Sequence, residues 1–125
     1  MAEIFIKNLS FHYADDQRTI LENITAQFSQ GEFVCILGQS GCGKSTLLRL
    51  FAGLETASAG EILIGEEKIQ GTSLQRAVVF QDYGLFPWLS IGKNILIALQ
   101  QCFPKEDKKK LEKRVSELLQ MVGLK

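Results

Sequence analysis

Residues 38–45 read Gly38-Gln39-Ser40-Gly41-Cys42-Gly43-Lys44-Ser45, the spacing G-x-x-x-x-G-K-[ST]. The apolar run Phe33-Val34-Cys35-Ile36-Leu37 precedes them, and the helix-prone run Ser45-Thr46-Leu47-Leu48-Arg49-Leu50-Phe51 follows. A strand in front of this motif and a helix behind it mark a phosphate-binding loop, a P-loop, set in an α/β fold. A Gly-rich turn with a surface lysine is the plainer alternative, and the flanking elements argue against it.

A polyphosphate needs many hydrogen-bond donors at short range. Gly38, Gly41 and Gly43 carry no Cβ, so the chain can turn tightly and aim consecutive N–H groups inward across Gln39 and Ser40. The first helical turn adds unpaired N–H groups and the positive end of its dipole. The expected backbone donors are Gly41, Cys42, Gly43, Lys44, Ser45 and Thr46. Lys44 is placed to meet the β- and γ-phosphates, and the Ser45 hydroxyl to ligate Mg²⁺. The implied ligands are ATP and Mg²⁺.

Composition narrows the rest. A chain of 125 residues makes one domain at most, burying roughly two-thirds of its unfolded surface. Fourteen basic and fourteen acidic residues cancel, so there is no electrostatic footprint for nucleic acid. No apolar stretch is long enough to span a bilayer, so direct membrane insertion is not expected. The start Met1-Ala2-Glu3-Ile4 has neither the basic nor the apolar segment of a secretory leader. Three cysteines, Cys35, Cys42 and Cys102, are too few for a disulfide framework and fit a reducing cytoplasm. Cys42, inside the loop beside a helix N-terminus, is in a setting where thiols are commonly reactive. His12, the lone histidine, has no ligand-type neighbours at metal-binding spacing.

Alternation predicts a strand over residues 3–9, with Ile4, Ile6 and Asn8 on one side. A second strand is expected over 19–28, with Ile24, Ala26 and Phe28 sharing a face and a polar turn at 14–18 between the two. Residues 33–37 and 77–80 are apolar throughout, as in strands buried on both faces of a parallel sheet. Helices are expected from Lys44 to Ala52-Gly53, over about 92–101, and over about 104–122. The last has Pro104 in its first turn, Gly123 at its end and the stripe Leu111, Val115, Leu118, Leu119, Val122. Short strands are expected at 60–64 and 67–69. The Lys108–Lys110 run reads as the solvated face of the last helix.

The order of P-loop, a helix ending in Ala52-Gly53-Leu54, and Val78-Val79-Phe80-Gln81 before an aromatic loop resembles the ATP-binding subunits of ABC transporters. The likeness runs from Ile4 to Leu124. It implies an α/β P-loop NTPase of the ABC type. Its parts would be a partial parallel core sheet with the P-loop helix, an antiparallel β-subdomain, and the start of a helical subdomain. Residues 1–93 would hold the β-subdomain, P-loop core and Q-loop, and residues 94–125 the helical start. The stretch from Phe80 to Ser90 is most similar to importers of the nitrate, sulfonate and taurine group, which implies uptake of a small anion.

By the same resemblance Tyr13 matches the aromatic that stacks on adenine, with packing on the strand face as its alternative. Gln81 matches the Q-loop glutamine, which reaches the metal and the attacking water. Loop Asp82–Ser90 matches the surface that meets the membrane-spanning permease. Its aromatics Tyr83, Phe86 and Trp88 either anchor that partner or, for Phe86 and Trp88, fold back as local core. A second ATP-binding subunit would complete the dimer, and the assembly would lie peripherally on the inner face of the cell membrane. The family's signature motif, metal-binding Asp, catalytic Glu and switch His have no counterparts in this sequence. Nucleotide binding without competent hydrolysis, and weak stability of the chain alone, are therefore expected. The other functional readings are a non-hydrolysing regulatory or interaction module and a small-molecule kinase using Arg49 and Arg76.

Overall fold

The computed structural model describes residues 3–14, 18–82 and 84–124. They fall into two units, Met1–Val78 and Val79–Lys125. The first unit is built on a four-stranded antiparallel sheet ordered β2-β1-β3-β4. Its strands are β1 (Ile4–His12), β2 (Thr19–Phe28), β3 (Ala59–Ile64) and β4 (Glu67–Lys68). Helix α1 (Lys44–Ala52) completes the unit. Of the turn expected at 14–18, residues 15–17 lie outside the described residues.

Strand β1 does not alternate as simple period two predicts. Ile6 is buried, but Asn8 is exposed and the next buried side chains are Leu9 and Phe11. The cause is a bulge. Asn8 has φ 46°, as does Asn23 on β2, and the pairing slips between Ile6↔Ala26 and Leu9↔Ile24. Asparagine tolerates the left-handed region, and its side chain can hydrogen-bond locally. The Asn8 N–H donates to Thr25 Oγ1 (3.1 Å), and the Thr25 hydroxyl donates back to Asn8 Oδ1 (3.2 Å). The Asn23 N–H donates to Ser10 Oγ (2.9 Å). The extra residue switches the phase of the strand, so apolar side chains stay inward on both sides of it. Ile24, Ala26 and Phe28 share the inward face of β2 as expected, half-buried against the core.

That core is Ile6, Leu9, Phe11, Leu21 and Ile62 from the sheet, with Leu47 and Leu50 from α1. Burying a side chain such as Leu50 stabilises by about 1.5–3 kcal/mol. The sheet closes over Gly60, where φ is +75° and an added Cβ would collide with the Lys7 and Asn8 carbonyl oxygens. Helix α1 ends as expected, with Gly53 N–H bonded to Leu50 O (3.0 Å) and Leu54 N–H to Arg49 O (3.0 Å).

The two apolar runs expected as parallel strands do not form strands. Residues 33–37 and 77–80 carry no ladder, and Phe33, Leu37 and Val79 are 91%, 89% and 98% exposed. A parallel strand exists only with partners to receive its slanted hydrogen bonds. Among the described residues the paired strands make one antiparallel sheet, and neither run has a partner in it.

The second unit holds α2 (Ile91–Cys102) and α3 (Lys108–Met121). Pro104 does not open α3. The chain turns at 103–106, with Glu106 N–H on Phe103 O (3.1 Å), and Asp107 stands extended as N-cap. Its carbonyl accepts from the N–H groups of Lys110 (3.0 Å) and Leu111 (3.1 Å). The start is set instead by Asp107, whose extended backbone breaks the chain from the 103–106 turn before the first helical residue. On the expected stripe Leu111 and Val115 are buried, Leu119 is half-buried, and Leu118 and Val122 are exposed. The lysine run is solvated as expected, with Lys110 paired to Glu106 (2.9 Å) and Lys108 to Glu112 (3.8 Å).

Candidate functional site

The 38–45 loop leads into α1, and Gly43 fixes where that helix begins. Gly43 is its N-cap at φ 95°, seated against the start of β2. A Cβ there would come within 2.7 Å of Leu21 Cδ2 and 3.2 Å of the Ile20 carbonyl oxygen. Only glycine accepts both that dihedral and that approach. Thr46, Leu47 and Leu50 face the core, which leaves Ser45 on the exposed side.

Two contacts shape the loop from within. Cys42 N–H reaches Gln39 O at 3.4 Å, and Leu47 N–H closes the first helical turn on Gly43 O at 2.9 Å. Lys44 folds back over the loop, its ammonium donating to Gly38 O (2.9 Å) and Gln39 O (2.6 Å), with Cys42 Sγ at 3.7 Å. Among the described residues no acceptor takes the N–H groups of Gly41, Gly43, Lys44, Ser45 or Thr46. Unpaired donors in close succession beside one ammonium and one exposed hydroxyl are the chemistry that a polyphosphate needs. No cluster of three His, Cys, Asp or Glu side chains exists among the described residues. A phosphate-bound Mg²⁺ asks for only one or two protein oxygens, and Ser45 offers one.

Tyr13 follows β1 directly and is half-buried, its ring edge-on to Phe11 at 4.8 Å and 86°. Pairing of His12 with Thr19 puts this end of β1 beside the β2 start that touches Gly43. Gln81 is exposed and belongs to the second unit. In the aromatic loop Tyr83 lies outside the described residues. Phe86 and Trp88 do not fold back as core: they are 44% and 76% exposed, with ring centroids 5.5 Å apart. Each stays on the surface because Pro87 and Trp88 occupy the tip of a turn closed by Leu89 N–H on Phe86 O (3.0 Å).

One residue escaped sequence reasoning. Asn94, on the first turn of α2, clasps this turn with its side-chain amide. A polar residue on a helix surface looks merely solvated, and side-chain bonds to a neighbouring loop leave no periodic signal. Arg49 and Arg76, the groups a kinase reading would need, are engaged structurally. Arg49 lies 3.9 Å from Glu55, and Arg76 Nη2 donates to Gly71 O.

A P-loop at the head of α1, framed by an antiparallel sheet, defines an α/β nucleotide-binding fold. The chain belongs to the ABC transporter family, whose model matches residues 21–125. It is 45% identical over 103 residues to the sn-glycerol-3-phosphate import ATP-binding protein UgpC of Chromobacterium violaceum, covering 80% of this chain and 28% of that protein. It is 38% identical over 122 residues to the aliphatic sulfonates import ATP-binding protein SsuB of Bacillus subtilis, covering 98% and 46%. Among solved structures it is similar to the dimeric ATP-binding cassette MJ0796 in a post-hydrolysis state bound to ADP and Pi. There the TM-score is 0.81 at 28% identity, over 98% of this chain and 58% of that one. The chain thus spans less than half the length of these curated relatives. Others are named for spermidine/putrescine import in Bacteroides fragilis and maltose/maltodextrin import in Vibrio vulnificus. The relatives therefore do not single out the nitrate, sulfonate and taurine group. Among the described residues no helix is long and apolar enough to cross a membrane.

Proposed function

We propose that this chain is the nucleotide-binding part of an ABC importer's ATPase subunit, gripping ATP through the 38–45 loop. The observation that carries the reading is the set of N–H groups of Gly41, Gly43, Lys44, Ser45 and Thr46, unpaired among the described residues, beside the Lys44 ammonium. Gln39, Ser40 and Cys42 complete the loop around the β- and γ-phosphates. The Ser45 hydroxyl would hold Mg²⁺, which when bound offsets the negative charge of the phosphates, and Gln81 keeps the metal-reaching role that its Q-loop resemblance implies. Gln81 suits its second role, orienting a water, because an amide offers donor and acceptor at one tip. Tyr13 would stack on the adenine with its exposed face, a contact worth about 1–3 kcal/mol.

Phe86 and Trp88, exposed at a turn tip, suit docking to a membrane-spanning permease, since buried aromatics supply most anchors in such interfaces. A second ATP-binding subunit would pair with this one, consistent with the dimeric cassettes it resembles. The assembly would sit on the cytoplasmic face of the membrane through the permease. For the solute we favour a small anion such as nitrate, a sulfonate or taurine. The support is the wording of the 80–90 stretch and the sulfonate-import relative that covers 98% of the chain.

The test is direct: a fluorescent ATP analogue should bind with Mg²⁺ and be displaced by ATP. Absence of saturable binding would end the proposal.

A further inference from the structure

The turn that carries Trp88 is held by a single side chain. Asn94 Oδ1 accepts the Phe86 N–H at 2.8 Å. Asn94 Nδ2 donates to the carbonyl oxygens of Phe86 (3.2 Å), Leu89 (3.3 Å) and Ser90 (3.1 Å). One amide thus binds both backbone groups of Phe86 and both residues at the exit of the turn. With two N–H groups facing three acceptors, one hydrogen is shared. Asn94 itself is fixed, its own N–H bonded to Ser90 O (3.0 Å) in a helix capped by Ser90 Oγ on Lys93 N–H (3.4 Å). Between the clasped ends, Pro87 occupies the second position of the turn, where its fixed φ fits.

Such a clasp makes little sense for a loop that only connects two elements. Within Phe86–Leu89 only Leu89 is half-buried, a small reward for ordering the turn, and Trp88 is left 76% exposed. What the clasp achieves is a large aromatic presented on a stiff tip. A loop already held in its bound shape spares the association the entropy of ordering it. We infer that Asn94 is a positioning residue, one that pre-organises the Phe86–Trp88 pair for the permease surface it would dock against. The inference rests on the reading of the 82–90 loop as the permease contact given above, and it names the group that sets the affinity of that contact from outside it.

Trp88 is the sole tryptophan of the chain, so its fluorescence reports on this turn alone. Two variants test the clasp. Asn94→Ala removes all four side-chain bonds. Asn94→Asp keeps the size and the Oδ1 acceptor but sets a carboxylate against three carbonyl oxygens. In both, Trp88 anisotropy should fall and acrylamide quenching should rise about twofold, with binding of the fluorescent ATP analogue unchanged. Co-sedimentation with proteoliposomes of the permease that purifies with the chain should weaken about tenfold, as expected when an anchor must be ordered on binding. Should Asn94→Ala lower the helical circular dichroism, the isosteric Asn94→Asp carries the test. Unaltered Trp88 anisotropy and quenching in both variants would overturn the inference, as would a loosened turn with undiminished sedimentation. Trp88→Ala and Phe86→Ala separate the two levels. If these sediment like the parent chain, the docking reading itself is wrong, whatever Asn94 does to the turn.

Discussion

The Lys44 ammonium donates to the Gly38 carbonyl across 2.9 Å, so the one cation of the loop rests on the first glycine of the motif it closes. A second bond, to Gln39 O at 2.6 Å, leaves it poised over the loop rather than extended into water. The N–H groups of Gly41, Gly43, Lys44, Ser45 and Thr46 take no acceptor among the described residues, so charge and free donors share one short stretch of chain. Replacing Lys44 with alanine should lower affinity for an Mg·ATP analogue about 10- to 100-fold, the loss expected for charged hydrogen bonds. Equilibrium fluorescence titration measures it. Because Lys44 touches only its own loop, the melting curve should not move.

Cys42 Sγ lies 3.7 Å from that ammonium, and its side chain is exposed. A bulky thiol adduct there would fill the cradle. Maleimide treatment should abolish binding of the analogue, and ATP added first should protect. Cys42→Ser should bind and resist the reagent, although Cys35 and Cys102 remain exposed and reactive. Loss of binding in Cys42→Ser after treatment would assign the effect to another thiol.

Gly60 carries β3 past the β1 bulge at a φ of +75°, with the Lys7 and Asn8 carbonyls where a Cβ would stand. Gly60→Ala should destabilise the first unit by about 2 kcal/mol or more, since both the dihedral and the collision penalise it. Urea unfolding followed by far-ultraviolet circular dichroism reads the change. Gly71→Ala, where a Cβ meets nothing within 4 Å, serves as the control.

The Glu106 carboxyl is held below its ordinary value of 4.5, first by its hydrogen bond with Lys110 and then by the charges of Lys110 and Arg114. A lowered folded-state value means the pair contributes at neutral pH and is lost as acid carries the solution below about 4.5. Glu106→Gln should therefore lower the helical melt at pH 7 slightly and flatten its decline in acid. The Glu106 side chain keeps 24% of its surface in water and Lys110 keeps 65%, so added salt should shrink the difference.

Much of this architecture could be read from residue patterns, and the failures have physical reasons. The α1 boundaries followed from Lys44 and Gly53, and the second half of β2 from the period-two run Ile24, Ala26, Phe28, because local chemistry decides both. The phase switch in β1 was not legible: counting by twos assumes no inserted residue, and only the Thr25 hydroxyl on Asn8 and the Ser10 hydroxyl on Asn23 reveal what holds the two bulged residues. Residues 33–37 look like a buried strand because their side chains are apolar, yet burial needs neighbours that a single segment does not specify. The P-loop residues were all visible in the motif, and the structure brings Gly38, Gln39, Cys42, Gly43 and Lys44 into mutual contact or succession. Asn94 was invisible because its role lies in four side-chain bonds to the preceding turn, which leave no periodic pattern in the sequence.

The most direct test of the account is an amide spectrum of ¹⁵N-labelled chain titrated with Mg²⁺ and a non-hydrolysable ATP analogue. The N–H resonances of Gly41, Gly43, Lys44, Ser45 and Thr46, unpaired in the structure, should move downfield together and saturate at one ligand concentration. If they stay in place while other amides respond, or if nothing responds, the loop does not hold the phosphates and the assignment of this site is wrong.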